Sequence, residues 1–393
     1  MYRYYTLLTA TAILLMGCRD STTDSRSNIQ FSEPLIAQTL ERVRQEYVEK
    51  PDEKKMLDGA LNGMLMALDP YSTFLNPESY KIYTQSHKGE FGGLGIEVLF
   101  SDGMLKVISP MDDMPAQKAG IKPGDIITHV DNIAIAGLAP EEALKRLHGK
   151  PGTSVSLKIN RGRAAPFIVK ITRDHIIHNP VKHHTEGNIG YIRISYFNEQ
   201  TTEKLKAALS SIQKSLGKGQ QGLILDLRNN PGGSLDEAVS VSNLFLDSGI
   251  IVHIKGRNPA QNQTHKATGK DLLKGLPIAI LINEGSASAS EIVAAALRDN
   301  HRAVLVGEKS FGKGSVQALY ALDTYGGIKI TIARFYTPKG EEIQGRGIQP
   351  DVLLTLKPLE CLKEPGKETS TDDVQLQRAI DLLKGLWAVK IRP

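Results

Sequence analysis

The sequence of 393 residues holds only two cysteines, Cys18 and Cys361. One pair cannot build a disulfide framework, so the folded part must rest on its packed core, which is easy at this length. It has no Lys/Arg cluster of the kind that nucleic-acid binders concentrate on one face, and the formal charge is only +5. Nucleic acid is therefore not an expected partner. Metal-site spacing is also missing. His175, His178, His183 and His184 gather in one stretch, yet His183-His184-Thr185-Glu186 is not His-Glu-x-x-His and no cysteine pairs accompany it. That stretch reads as a solvated loop, and no metal is expected. There is no internal repeat at a fixed period.

What is present begins at the N-terminus. Arg3 precedes an apolar run, Leu7 to Met16, too short to span a bilayer but suited to the core of a signal peptide. The run ends Leu15-Met16-Gly17-Cys18, which resembles the lipobox of bacterial lipoproteins. Cleavage before Cys18 would leave that residue to carry the lipid. A plain signal peptide with an incidental cysteine is the alternative. The expectation is export, with a signal peptide over 1–17 and a polar, Ser/Thr-rich tether over 18–32.

Glu33 to Leu68 carries apolar residues at helical spacing, with Pro51 separating two helices. Residues 33–88 are accordingly expected to form a helical N-terminal segment. From about Gly89 the pattern turns to short strands: Gly95 to Phe100 alternates, Asp102-Gly103 signals a hairpin, and Met104 to Ile108 alternates again. Pro123-Gly124-Asp125, a strand, a helix near Pro140 to Leu147 and the strand Ser154 to Asn160 follow. With Phe91-Gly92-Gly93-Leu94-Gly95-Ile96 in front, this order resembles a PDZ domain over 89–174. Such a domain presents backbone N–H groups of its glycine loop, here Gly93, Leu94, Gly95 and Ile96, to a peptide's terminal carboxylate, and the peptide adds as an extra strand.

From Ile189 onward β and α segments alternate, which predicts a parallel α/β core. Gly222 to Leu227, Ile278 to Ile282 and Ala303 to Val306 read as strands buried on both faces. A chemically suggestive turn follows each, where active sites of open α/β sheets gather. The first is Asp226-Leu227-Arg228-Asn229-Asn230-Pro231-Gly232-Gly233. The second, Asn283 to Glu291, holds Ser286, Ser288 and Ser290, and Ser288-x-x-Glu291 fits a capping box. Spacing does not choose among the three serines. The third contains Gly307-x-x-x-x-Gly312-Lys313, close to a phosphate-binding loop. Gly314 occupies the place of the magnesium-binding hydroxyl there, and a strand rather than a helix is expected to follow, so a nucleotide site is disfavoured. A Ser-His-Asp triad built on Asp226 ranks lower still, because no histidine sits in a comparable turn.

The runs Ser286 to Ile292, Phe311 to Gln317 and Asp226 to Gly233 together resemble the signature of the carboxyl-terminal processing peptidases, serine proteases of the tail-specific type. The resemblance covers nearly the whole mature chain in order, ending with Gly347-Ile348-Gln349-Pro350-Asp351-Val352. It implies a mixed α/β, crotonase-like ββα core over 175–355 with an inserted PDZ domain, followed by a C-terminal segment over 356–393 in which Asp372 to Gly385 reads as an amphipathic helix. It implies Ser288 as nucleophile, Lys313 as general base and Gln317 as the residue that orients the lysine. The lysine must be neutral to act, so burial away from carboxylates is expected. Because residues four apart along a straight strand lie about 13 Å apart, a Lys313–Gln317 contact requires a bend. Gly232 or Gly233, with Ala289, would supply the oxyanion-hole N–H groups. Protein C-termini are the implied partners and no cofactor is needed. A catalytically silent PDZ scaffold is the rival, and a homo-oligomer built on the helical segment is left open.

Overall fold

The computed structural model describes residues 32–86, 92–175, 179–355 and 373–390. The expected leader, Cys18, the tether up to residue 31, and His178 lie outside them. The described chain divides into two compact units, one up to Leu57 and one from Asp58 onward.

Two helices open the chain, α1 (Ser32–Glu46) and α2 (Glu53–Met66), and Arg44 pairs with Glu53 at 3.0 Å across the Pro51 break. The segment expected to be helical throughout also holds a strand, β1 (Thr73–Leu75), before α3 (Pro77–Ser86). This strand forms by antiparallel pairing of Thr73 to Leu75 with Lys329 to Gly327, and buried Asn62 anchors it: its Oδ1 accepts the Thr73 hydroxyl and the Phe74 N–H, both at 3.2 Å. An alternation of three residues is too short to stand out from sequence.

Next come β2 (Gly92–Gly93), β3 (Ile96–Ser101), β4 (Met104–Pro110), α4 (Pro115–Lys118), β5 (Ile126–Val130), β6 (Ile133–Ala134), α5 (Pro140–Leu147), β7 (Ser154–Asn160), β8 (Phe167–Thr172) and β9 (Asp174–His175). Their main sheet runs β3-β4-β5-β7-β8, so β3 is an edge. The β3–β4 hairpin turns on Asp102 and Gly103, both at positive φ, as the Asp-Gly signal requires. Inward residues Leu105, Val107, Ile127, Leu157 and Ile159 form a core of their own.

The remaining elements are β10 (Val181–Glu186), β11 (Ile189–Ile194), α6 (Thr201–Leu216), β12 (Gly222–Asp226), α7 (Leu235–Asn243), β13 (Ile250–Gly256), β14 (Gln263–Lys266), β15 (Ile278–Ile282), α8 (Ala289–Asp299), β16 (Val304–Gly307), β17 (Ser315–Ala321), β18 (Gly327–Tyr336), β19 (Val352–Leu353) and α9 (Val374–Lys390). One sheet runs β10-β11-β12-β15-β16-β19, parallel from β11 onward; the other runs β1-β18-β13-β14 with β17 against β18. Strands β12 and β15 are buried at every position because both faces are covered. Leu223, Leu225, Ile278 and Ile280 pack with the residues of α6, α7 and α8, while Ile224, Ala279 and Leu281 pack with Ala379, Ile380 and Leu383 of α9. His183 and His184, expected in a loop, lie instead on edge strand β10, exposed. They pair with Ile192 and Tyr191 of β11, the His184 and Tyr191 rings stacking, and that cross-strand match was not visible in β10 alone.

Candidate active site

The three turns singled out in the sequence leave the C-terminal ends of β12, β15 and β16, which are parallel neighbours. Backbone and amide groups lace them together. Asn229 donates its N–H to Asn283 Oδ1 and accepts from Asn283 Nδ2, both at 2.8 Å. The Ala287 N–H donates to the Asn230 carbonyl at 2.9 Å, and the Phe311 N–H to the Ser286 carbonyl at 3.0 Å. The third turn runs into strand β17 rather than a helix, which removes the phosphate-loop geometry.

Tertiary contacts separate the three serines. Ser286 and Ser290 are fully buried, and their hydroxyls donate at 2.8 Å to the carbonyls of Leu227 and Asn230. They bolt the second turn to the first. Ser288 alone is half-buried, and it holds φ 55° and ψ −113° at the N-cap of α8. A non-glycine residue in that region costs about 1–3 kcal/mol, a strain that clusters at active sites. The capping box forms, with Glu291 Oε2 accepting the Ser288 N–H at 2.8 Å.

Gly232, at φ 108°, lies flush against this serine. A Cβ there would stand 2.8 Å from both Ser288 Cβ and the Ala287 carbonyl, and 3.0 Å from the Ala289 nitrogen. The first turn therefore abuts Ser288 as an oxyanion hole requires. The Gly232 N–H, however, donates to Asn230 Oδ1 at 2.9 Å. That bond takes Gly232 out of the expected donor set, and Gly233 and Ala289 remain. The Asn230 side chain, fully buried and also donating to the Ile194 carbonyl, was read in sequence only as part of a turn.

Lys313 reaches the site by its backbone, whose N–H donates at 2.9 Å to the same Glu291 oxygen that holds Ser288. Its ammonium goes elsewhere. Nζ pairs with Glu97 Oε1 of β3 at 3.2 Å and lies 5.8 Å from the Tyr71 ring centroid. The expectation of a lysine kept away from carboxylates does not hold in this arrangement. Nor does Gln317 orient it. The Gln317 amide donates to Ser315 Oγ at 2.9 Å and to Thr331 Oγ1 at 3.1 Å, because Gln317 sits on β17 opposite Thr331. The bulge between Val316 and Gln317 does not bring the amide to Lys313. Glu97, one residue past the glycine loop, carried no chemical signal in the sequence, since nothing local places it beside residue 313.

Comparison with known proteins bears on this geometry. Residues 188–354 match the model of peptidase family S41, residues 92–166 a PDZ domain, and residues 15–79 the activating protease CtpB N-terminal domain. Over 345 residues the chain is 45% identical to the carboxy-terminal-processing protease of Bartonella bacilliformis, covering 87% of this chain and 80% of that one. The chain belongs to the carboxy-terminal processing proteases. It is also 38% identical over 324 residues to the carboxy-terminal processing protease CtpA of Bacillus subtilis, covering 82% of this chain and 68% of that one. Among solved structures, the photosystem II D1 C-terminal processing protease superposes with a TM-score of 0.70 at 29% identity, covering 81% of this chain and 86% of the other. The protease is thus a serine-type peptidase of mixed α/β fold carrying a PDZ domain.

In this protease a charged network joins the PDZ domain to the first turn. Asp226, fully enclosed, accepts from Arg228, Arg193 and the Tyr191 hydroxyl. Burial works to raise its carboxyl, but Arg228 and Arg193 outweigh that and hold it below the ordinary range. Arg193 also grips Asp112 of the PDZ domain at 2.7 and 2.9 Å, and Arg228 grips Asp373 at the start of α9. Ser109 donates its hydroxyl to the Asn229 carbonyl at 2.7 Å, and Lys182 pairs with Asp113. Sequence showed Arg228 as a turn residue and Asp226 as a turn residue or the acid of a disfavoured triad; Arg193, Asp112 and Asp373, the partners that hold them, lie far along the chain.

Proposed function

We propose that the protease is an exported endopeptidase, lipid-anchored through Cys18 to a bacterial membrane on its periplasmic side, that binds protein C-termini on its PDZ domain and cleaves with Ser288 and Lys313. The observation that carries the dyad is that the backbone N–H groups of Ser288 and Lys313 donate to one carboxylate oxygen of Glu291, which sets the two residues side by side, with Gly232 packed against the serine. Among the three serines, the strained and half-buried one is the candidate nucleophile. The strand–strand–helix order of the core supports a crotonase-like reading.

Ser288 Oγ attacks the scissile carbonyl while Lys313 Nζ takes its proton, and the Gly233 and Ala289 N–H groups face the developing oxyanion. Lys313 then returns the proton to the leaving amine, and water releases the acyl-enzyme. An amine accepts a proton only when neutral, so the state with Nζ on Glu97 is a resting one. A C-terminal peptide adding beside edge strand β3, with its carboxylate at Gly93 to Ile96, lies next to Glu97 and can draw that residue off Lys313. Gln317 then becomes available to orient the freed lysine only if β17 shifts.

The test compares wild type, Ser288→Ala and Lys313→Ala on an unfolded protein substrate without metal or nucleotide. Cleavage lost in both folded variants is the expected result. Cleavage that survives Ser288→Ala refutes the dyad. Binding of C-terminal peptides with no cleavage by wild type would favour the scaffold.

A further inference from the structure

A buried acid stands between Ser288 and Lys313 with no role in the steps above. Glu291 is fully buried on α8, and its carboxylate accepts four hydrogen bonds from two elements. Oε2 takes the N–H of Ser288 at 2.8 Å and of Lys313 at 2.9 Å. Oε1 takes the Gly312 N–H at 2.7 Å and the Ser310 hydroxyl at 2.5 Å. The Ser310 hydroxyl has its proton directed at Glu291 because the same oxygen accepts the Ile348 N–H at 2.6 Å.

Every group facing the carboxyl is therefore a donor. A protonated acid would point its own hydrogen at one of them, so only the ionised form satisfies all four. Charge-assisted bonds to a carboxylate are about twice as strong as neutral ones, and the N-terminus of α8 favours a negative charge there. Burial raises the carboxyl above the ordinary range, and Ser310 with the N–H groups of Ser288, Gly312 and Lys313 pulls back only part of that rise, so the four donors and not the burial favour the ionised form.

The second half of the clamp explains a motif left without a role, the stretch Gly347 to Val352. Ser310 and Ile348 exchange bonds, since the Ser310 N–H also donates to the Ile348 carbonyl at 3.1 Å. Asp351 accepts the Leu305 N–H of β16 at 2.8 Å. Gly347, at φ 65°, lies so close to the Ser310 carbonyl and hydroxyl that a Cβ would collide. The stretch backs the base loop from behind.

Building on the dyad reading above, we propose that Glu291, with Ser310 as its relay to residues 347–352, is the positioning residue that fixes the nucleophile's turn against the general base's loop. It touches neither substrate nor reacting atoms. Its effect is to hold two backbones at one oxygen, and a misplacement of about 1 Å between such groups costs about 100-fold in rate.

The experiment uses the purified full chain, fluorescently labelled casein for kcat and KM, and a fluorophosphonate probe for the rate of serine modification. In Glu291→Gln one oxygen becomes an NH₂ group facing donors, so at least one N–H loses its acceptor. The expected result is a kcat about 10- to 100-fold lower per folded molecule, KM unchanged within about twofold, and probe labelling slowed in step. Ser310→Ala keeps the acid and removes only the relay; a smaller kcat loss is expected, less than additive with Glu291→Gln because both act on one clamp. Wild-type kcat per folded molecule in both variants, alongside an inactive Ser288→Ala, overturns this proposal alone. Activity lost only in proportion to folded protein also overturns it. Cleavage surviving in Ser288→Ala overturns the dyad, and this proposal with it.

Discussion

Replacing Glu97 by Gln removes the only carboxylate that the Lys313 ammonium touches among the described residues, and leaves the PDZ fold alone. The pair is 3.2 Å long with side chains 16% and 32% exposed, so it is neither a surface bridge nor a buried one. Raw attraction at that distance is about 5 kcal/mol for an effective dielectric of about 20. Desolvation and side-chain ordering offset most of it, leaving about 1–2 kcal/mol, between the values for exposed and buried pairs. A resting state weakened by that amount yields its population about 5- to 30-fold. Basal cleavage of a substrate whose C-terminus is blocked is thus expected to rise about 5- to 30-fold, while an open C-terminus should gain less if, as proposed above, docking itself draws Glu97 off Lys313. High salt should raise wild-type basal activity and leave Glu97→Gln nearly unchanged. If Glu97→Gln cleaves the blocked substrate no faster than wild type while folding normally, the ion pair is not what restrains the base.

The remaining predictions follow from the same contacts. Ser286→Ala and Ser290→Ala each remove a buried hydroxyl that donates to a carbonyl, so urea unfolding should show a loss of about 1–2 kcal/mol with cleavage retained; abolished activity in a folded Ser290→Ala would move the nucleophile. Asp226→Asn uncovers the positive charges of Arg193 and Arg228, and the unfolding midpoint should report a loss of about 3 kcal/mol; a neutral outcome would show that Asp112 and Asp373 suffice. Burial first, then the neighbouring Lys313, depresses Lys329 from 10.5 to about 8, against the opposing pull of Glu97 and Asp69. Between those values the unfolded chain binds the proton that the folded chain has released, so wild-type stability rises with pH through that window. Lys329→Met should accordingly melt higher than wild type below about pH 8, with the gap closing as pH approaches 10.5; a gap constant with pH would show that this lysine carries no such penalty.

Much of the architecture was legible because it depends on local patterns. Apolar strands β12, β15 and β16 announce a sheet covered on both faces. The Asp102-Gly103 turn announces a hairpin, and Ser288-x-x-Glu291 announces a helix start. Each signal concerns residues adjacent in sequence, and the ordered set of turns was enough to suggest a serine peptidase with a PDZ domain. Which of Ser286, Ser288 and Ser290 keeps its hydroxyl off a buried backbone carbonyl was not legible, since all three have the same chemistry; the carbonyls of Leu227 and Asn230, folded in from 59 and 60 residues away, take the other two. The same holds for Gly232, whose N–H is taken by Asn230, and for Gln317, which β17 turns toward Thr331. Lys313 differs most from expectation. Its type fixed what chemistry it could do, but its partner came from Glu97, 216 residues away on another domain. Local patterning determines where strands end and helices begin, because backbone propensity and apolar period act over a few residues. Partnership of charges is decided only when domains pack, because the carboxylate that a half-buried ammonium meets is set by distance in space and not along the chain.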